Sequence, residues 1–275
     1  MAAKRHHHRS KKKSIFSRLP SWTWWFGGFI IVIAYIVAFY YFFISPYSFR
    51  WRAIYGDADY PEGYEIHGID ISHYQGNINW KDLQEATIQG YPVRFVIMKA
   101  TEGSSRIDNT FLSNFYNARE YGFVRGVYHF WSNKSTPREQ AQFFLKNVKL
   151  IEGDLPPVLD VEPSAALIKE MGGTEVLLNR IRVWMKTVEN HLGVKPILYV
   201  SQNFINKYLA DANDIKEEYQ VWIARYGEYK PDVKLAIWQL SPDGHVNGIH
   251  GEVDINIFNG YRDRFDEFLE RSCLR

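Results

Sequence analysis

Between Arg18 and Arg50 the chain carries no charged residue, and inside that gap residues 24–44 read WWFGGFIIVIAYIVAFYYFFI, 21 residues that are almost all apolar. A run of this kind must be buried in protein or in lipid. As a helix it spans about 31 Å at 1.5 Å per residue, close to the ~30 Å hydrocarbon core of a bilayer. Trp22, Trp24 and Trp25 stand at one end and Tyr40, Tyr41 and Tyr47 at the other, the placement of an aromatic belt, and Pro46 closes the segment. A cleavable signal peptide would need an apolar core of roughly 7–15 residues followed by small residues. This core is longer, and it ends in the bulky YYFFISPYSF.

Seven basic residues (Lys4, Arg5, Arg9, Lys11, Lys12, Lys13 and Arg18) precede the run with no acid among them, and only Arg50 and Arg52 follow it closely. The positive-inside rule then puts the N-terminus in the cytoplasm. The expected organisation is a basic cytoplasmic tail over 1–21, a transmembrane helix over 22–45 in contact with the lipid bilayer, a stem over 46–63 and a folded body over 64–275. The chain is expected to be a single-pass membrane protein whose body is extracytoplasmic, in the periplasm or at the cell surface. His6, His7 and His8 sit inside the basic tail and add to an interfacial cluster.

The tail also masks the charge of the rest. The whole chain has 33 basic and 31 acidic residues, so the part after the tail keeps 26 against 31, a net of −5. Such a body is no nucleic-acid binder on charge grounds. Cys273 is the single cysteine, which permits no internal disulfide and no CxxC metal site. A hydrophobic content of 46% with 23% charged residues excludes a disordered or fibrous chain.

From Ile66 onward, short β-branched runs alternate with amphipathic stretches. Strands are expected at 66–72, 94–100, 124–130, 156–162, 195–200, 220–226, 234–240 and 251–258, and helices at 80–89, 109–121, 137–149, 174–192, 202–210 and 262–272. This alternation predicts an α/β fold with a largely parallel sheet. Eight strands in about 200 residues suit a (β/α) barrel of TIM type, modified because the last three are linked by loops too short for helices. No glycine-rich phosphate loop follows the first strand, which counts against a nucleotide fold.

Carboxylates fall at the ends of several of these strands: Asp70, Asp160 with Glu162, and Asp254. In a barrel the C-terminal ends of the strands carry the active site. Asp160 and Glu162 are two apart on a strand and share a face, with Cα atoms roughly 6–7 Å apart. Two acids on the inward face of an apolar run are costly unless paired or used. Nearby carboxyls are what glycosidic cleavage needs: one protonated to assist the leaving oxygen, the other to stabilise or attack the cationic sugar carbon. Repulsion between them raises one pKa and so assigns the acid. Tyr74, Tyr128, Trp222, Tyr226 and Trp238 accompany them as candidate surfaces for sugar rings.

HGIDISHYQG at 67–76, YHF at 128–130, LDVEP at 159–163, WIARY at 222–226, IWQL at 237–240 and VDINIF at 253–258 resemble, in order, the successive motifs of family 25 glycoside hydrolases, the N-acetylmuramidase lysozymes. The resemblance implies a modified barrel of five βα units plus three further strands. It also implies hydrolysis of the β-1,4 bond between N-acetylmuramic acid and N-acetylglucosamine in peptidoglycan glycan strands, without a cofactor or metal. Carried over by position, Glu162 is the general acid/base, Asp160 orients or stabilises the 2-acetamido group, and Asp70 and Asp254 complete the acidic cleft. Gln75 and Gln239 join the aromatic residues as substrate-binding side chains. Residues 98–103, MKATEG, resemble the family's second-strand motif, in which Glu102 has a structural or subsite role.

Three other readings compete. The four acids could hold Mg²⁺ or Ca²⁺ in a phosphodiesterase barrel, but no basic or histidine cluster is placed to bind a phosphate. A D-x-E strand also suits a chitin-cleaving enzyme. A membrane-tethered peptidoglycan-binding protein that has lost catalysis is the non-enzymatic alternative. Asn133-Lys134-Ser135 is an N-glycosylation sequon, relevant in a secretory eukaryotic host.

Overall fold

The computed structural model describes residues 21–39, 64–224 and 233–271, and the chain divides into two compact units, residues 1–60 and 61–275. In the first unit, Ser21–Phe39 form a 19-residue helix, α1. Its side chains from Phe29 to Phe39 are all exposed, and apart from the Tyr35 hydroxyl they are wholly apolar. The apolar run continues through 40–44, which lie outside the described residues. Among the described residues no helix is long and apolar enough to cross a membrane.

The second unit is built on ten strands: β1 His67–Ile71, β2 Thr87–Ile88, β3 Tyr91–Glu102, β4 Arg106–Ile107, β5 Val124–Phe130, β6 Val158–Asp160, β7 Ile197–Ser201, β8 Gln220–Ala224, β9 Lys234–Gly244 and β10 Val253–Phe258. Eight of them close a barrel. Pairings β1–β3, β3–β5, β5–β6, β6–β7, β7–β8 and β8–β9 are parallel, while β10 is antiparallel to both β9 and β1. Helices Trp80–Gln84, Phe111–Glu120, Pro137–Asn147, Thr174–Leu192 and Gln202–Tyr208 follow β1, β3, β5, β6 and β7, giving the five expected βα units. A last helix, Arg262–Arg271, follows β10 and sends Phe265 into the barrel floor against Phe95 and Phe258.

Several boundaries differ from the sequence reading. The helix expected over 80–89 stops at Gln84, and Thr87–Ile88 turn into a hairpin with β3. Gln89 and Gly90 both take positive φ, 52° and 84°, which is what a tight two-residue hairpin turn requires. The strand expected over 156–162 is ladder-paired only at Val158–Asp160, after two prolines that lack an N–H to donate. Two short helices, Ala165–Glu170 and Asn213–Glu218, were absent from the reading; Ser164 caps the first by accepting from Leu167 N at 3.2 Å.

Apolar side chains fill two layers, one inside the barrel around Phe95, Ile97, Trp222 and Phe258, the other between the strands and the surrounding helices. Gly68 is obligatory for the inner layer, because a Cβ there would lie 2.3 Å from the Phe95 ring. Arg125 of β5 is buried in a two-pronged ion pair with Asp154, Nε to Oδ1 and Nη2 to Oδ2 at 2.7 Å each, and its guanidinium lies 3.8 Å over the Phe115 ring. At the N-terminal pole Tyr64 donates to Asn259 Oδ1 at 3.0 Å and packs its ring against Trp238 and Tyr261. The chain therefore enters the barrel at one end, and the carboxylates gather at the other.

Candidate active site

A cleft of about 610 Å³ opens at the C-terminal ends of the parallel strands. Asp70 comes from β1, Asp160 and then Glu162 from the end of β6, and Asp254 from the start of the antiparallel β10, so all four acids face one space. Tyr74, Gln75, Tyr128, Trp222 and Gln239 line it too, as expected. Trp238 does not. Strand side chains alternate, so with Gln239 facing inward its neighbour faces outward, where Trp238 packs on Tyr64 with ring centroids 5.8 Å apart. Tyr226 lies outside the described residues.

The floor of the cleft is a chain of fixed hydrogen bonds. Asp70 Oδ2 accepts from Gln239 Nε2 at 2.9 Å and from Asn256 Nδ2 at 2.7 Å. Each amide is oriented in turn: Tyr199 OH donates to Gln239 Oε1 and Trp222 Nε1 to Asn256 Oδ1, both at 2.8 Å. With every donor matched, Asp70 has one rotamer to occupy. Trp222 is correspondingly spent on structure. It is 2% exposed, with Tyr199 edge-on at 4.5 Å, so it forms the floor and offers no free face to a sugar. Tyr74 is the opposite case: 82% exposed, with its ring tilted against that of His73, it stands as an open platform at the mouth. Gln75 also lines the cleft, but its side chain bonds Ser72 N and Glu252 O, tying the β1 loop to the segment before β10.

Electrostatics push every one of the four acids toward the neutral form. Burial, opposed by its two amide donors, brings Asp70 to about 6. Asp160 is raised well above the carboxylate range by burial and then by the Glu162 and Asp70 charges, and its Oδ1 is buried with no hydrogen-bond partner among the described residues. Burial followed by the charges of Asp70 and Glu162 brings Asp254 to about 8. Glu162 stands exposed at the rim, yet the cleft walls still desolvate its head enough to raise it, while Lys99 pulls the other way. Tyr128, raised by burial and the surrounding acids, stays a phenol.

Lys99 and Arg106 also line the cleft, and the sequence reading did not single them out. Lys99 Nζ reaches Glu102 Oε2 at 2.7 Å and lies 4.6 Å over the Phe130 ring, while Arg106 Nη1 takes Glu102 Oε1 at 2.9 Å. Burial works against the Glu102 charge, but these two cations hold its carboxyl below the ordinary value. The signal in the sequence was a lone lysine in the otherwise apolar FVIMKA at 95–100. Asn256 and Tyr199 were also missed. Asn256 follows Asp254 by two residues and so shares its face of β10. His129, from the YHF motif, lies away from the cleft, buried between Thr101 Oγ1 at 2.8 Å and Gln140 Oε1 at 3.2 Å, and burial holds its pKa at about 4. Among the described residues no three His, Cys, Asp or Glu side chains are grouped as metal ligands.

Residues 69–249 match the sequence pattern of Glycosyl hydrolases family 25. The chain belongs to that family. The family 25 match takes in Asp70, Asp160 and Glu162, and Asp254 and Asn256 follow directly on the strand that closes the barrel. Among curated family relatives, the chain is 37% identical over 213 residues to the uncharacterized protein YegX of Escherichia coli K12, covering 76% of this chain and 75% of that one. It is 32% identical over 210 residues to Lysozyme M1 of Streptomyces globisporus, covering 71% and 68%. The fold is likewise similar to solved family structures. A bacterial lysozyme from Streptomyces coelicolor superposes with a TM-score of 0.66 at 31% identity over 75% of this chain and 96% of that one. A family 25 glycosyl hydrolase from Bacillus anthracis gives 0.65 at 30% identity, over 77% and 99%.

Proposed function

We propose that this family 25 protein hydrolyses the β-1,4 bond between N-acetylmuramic acid and N-acetylglucosamine in peptidoglycan, from a membrane anchor. The observation that carries the reading is the placing of Glu162. It is a rim carboxyl raised by desolvation, reachable from solvent, two residues after a buried Asp160 in the same cleft. A carboxyl raised above its ordinary value keeps its proton to higher pH, and can hand it to a glycosidic oxygen and then, as the anion, take one from the incoming water.

Asp160 serves the substrate's 2-acetamido group. As the leaving oxygen is protonated by Glu162, the acetamido carbonyl attacks the anomeric carbon and closes an oxazolinium ring; water opens it again with net retention. Burial favours neutral Asp160 in the free cleft, and the cationic ring supplies the counter-charge that favours its carboxylate. Asp70, at about 6 and held by Gln239 and Asn256, supplies negative charge beside the developing cation, while Asp254, at about 8, keeps a proton next to it. Tyr74 offers a face for a pyranose ring at the mouth.

The test is to digest purified peptidoglycan with the detergent-solubilised full chain and identify the new reducing ends by mass spectrometry. Reducing-end N-acetylmuramic acid supports the assignment. Reducing-end N-acetylglucosamine, equal cleavage of chitin oligomers, or glycan binding without product release would replace it with a glucosaminidase, a chitinase or a binding protein.

The anchor belongs to the same proposal, with a cytoplasmic tail over 1–21, a membrane span over 22–45 and the barrel outside. What supports it is the charge-free apolar run, the aromatic residues at its ends and the one-sided basic tail. External protease should remove the barrel from spheroplasts and leave the anchor behind. A barrel protected from that protease, or a soluble mature form lacking residues 1–46, would overturn the anchor reading.

A further inference from the structure

A second recess, of about 300 Å³, adjoins the cleft and shares Glu102, Arg106, Phe130 and Glu162 with it. One wall is the β3–β4 turn at 103–106, and the other is the 131–135 loop. That loop is held open by a buried side chain. Gln140, 0% exposed, donates to the carbonyls of Ser132 and Ser135 and accepts from Ser132 N, with neutral His129 closing the network behind it. Arg180 adds a bond to the Ser135 carbonyl at 3.2 Å. A recess braced from behind in this way is already shaped before a ligand arrives, which lowers the ordering cost of binding.

The charges facing the recess are unevenly matched. Glu102 is neutralised twice over, by Lys99 and Arg106. Desolvation raises the Glu162 carboxyl above its ordinary value, against the pull of Lys99. Lys134 lies exposed on the loop and pairs with no carboxylate among the described residues. Two further polar atoms of the wall, Trp131 Nε1 and Ser135 Oγ, are buried without a hydrogen-bond partner among the described residues. With Glu102 doubly paired, Lys134 is left, among the described residues, as an unpaired cation on a preformed recess beside the proposed acid, which suits an anionic substituent of the sugar chain rather than the bare sugar.

We infer that this recess binds the carboxylate-bearing lactyl-peptide arm of muramic acid residues, with Lys134 as the cation that recognises it. The inference rests on the proposed function and narrows its substrate to peptide-bearing glycan. Chitin, which lacks the arm, leaves the recess unused.

The test reads binding, not cleavage. Full-length Glu162→Gln protein in detergent is titrated calorimetrically with soluble peptidoglycan fragments, either peptide-bearing or stripped of peptide and lactyl groups. The peptide-bearing fragment should bind about fivefold more tightly, the effect of one solvent-facing ion pair, and less so as salt is raised. Adding Lys134→Gln should erase that margin without weakening the stripped fragment, and Lys134→Arg should restore it. Equal affinity for both fragments, or a margin that survives Lys134→Gln, overturns the inference and leaves the hydrolase reading intact. Binding of neither fragment overturns both.

Discussion

Asp254 stands directly opposite Asp70 across the antiparallel pairing of β1 and β10. Side chains so paired have Cβ atoms about 4.5–5.5 Å apart, and like charges there repel. The barrel closes at this ladder, so the strand pairing that completes the fold also sets two acids against each other. The cleft carries a standing electrostatic cost, and protons relieve it.

That cost should show in stability. Asp70 at about 6 and Asp254 at about 8 both lie above ordinary carboxylate values, so the folded state holds more protons than the unfolded state between roughly pH 4 and pH 8. Stability therefore falls as pH rises through that window. Thermal unfolding should give a higher Tm at pH 5.5 than at pH 8. Asp254→Asn should flatten the fall and raise Tm at pH 8, by about 2–4 °C for each kcal/mol of repulsion removed. A Tm that climbs from pH 5.5 to pH 8 contradicts this account of the acidic pair.

Replacing the proposed acid should stop turnover without unfolding the protein. Glu162→Gln is expected to lower kcat on peptidoglycan by at least about 100-fold, the usual contribution of general acid–base catalysis. Because the swap keeps shape and removes a charge from beside Asp160, Tm should hold or rise. Near wild-type turnover in the folded variant would remove Glu162 from the mechanism.

Lys99 should tune that acid. Its charge holds the Glu162 carboxyl below where burial alone would put it, so Lys99→Met is expected to move the alkaline limb of the kcat profile to higher pH. The same change deprives Glu102 of one of its two cations. A limb that stays in place, or moves to lower pH, shows that Lys99 acts on Glu102 alone.

Stereochemistry separates substrate assistance from direct attack by water. Proton NMR in early turnover should show the β-anomer of the new reducing end first, and a thiazoline mimic of the bicyclic intermediate should inhibit. Appearance of the α-anomer first would mean that water attacks directly, with Asp160 or Asp70 as its base.

Away from the cleft, the Arg125–Asp154 pair is the place where one substitution costs most. Asp154→Ala leaves the Arg125 guanidinium, 3% exposed, without its counter-ion, and breaking such a buried pair costs about 3–5 kcal/mol. Denaturant titration should show that loss, and a cost under 1 kcal/mol would mean that water reaches the site.

How much of this was legible in the sequence depended on whether the signal was local. The helix Thr174–Leu192 was readable to the residue, because an amphipathic run ends at Gly193 in the left-handed conformation. The four acids were readable because a charge in an apolar strand is conspicuous wherever the strand goes. Trp238 was misplaced although Gln239 beside it was not: both were taken as cleft residues, which the two-residue period of a strand forbids. The bracing of Glu102 by Arg106 was out of reach, since it depends on the β3–β4 hairpin folding back. Burial of Trp222 depended on Asn256, 34 residues further on, occupying its indole N–H.

The Tyr64 clamp has a mechanical meaning. A pull applied at Tyr64 arrives at the pole away from the carboxylates, and β1 is the first strand to receive it. That strand is laced on both sides, to β3 and to β10. Force along its length loads both ladders in shear, where many bonds must give way together, instead of peeling them open one at a time. Tension applied there would thus be met first by the two ladders of β1, while Glu162 is carried on a different strand's end.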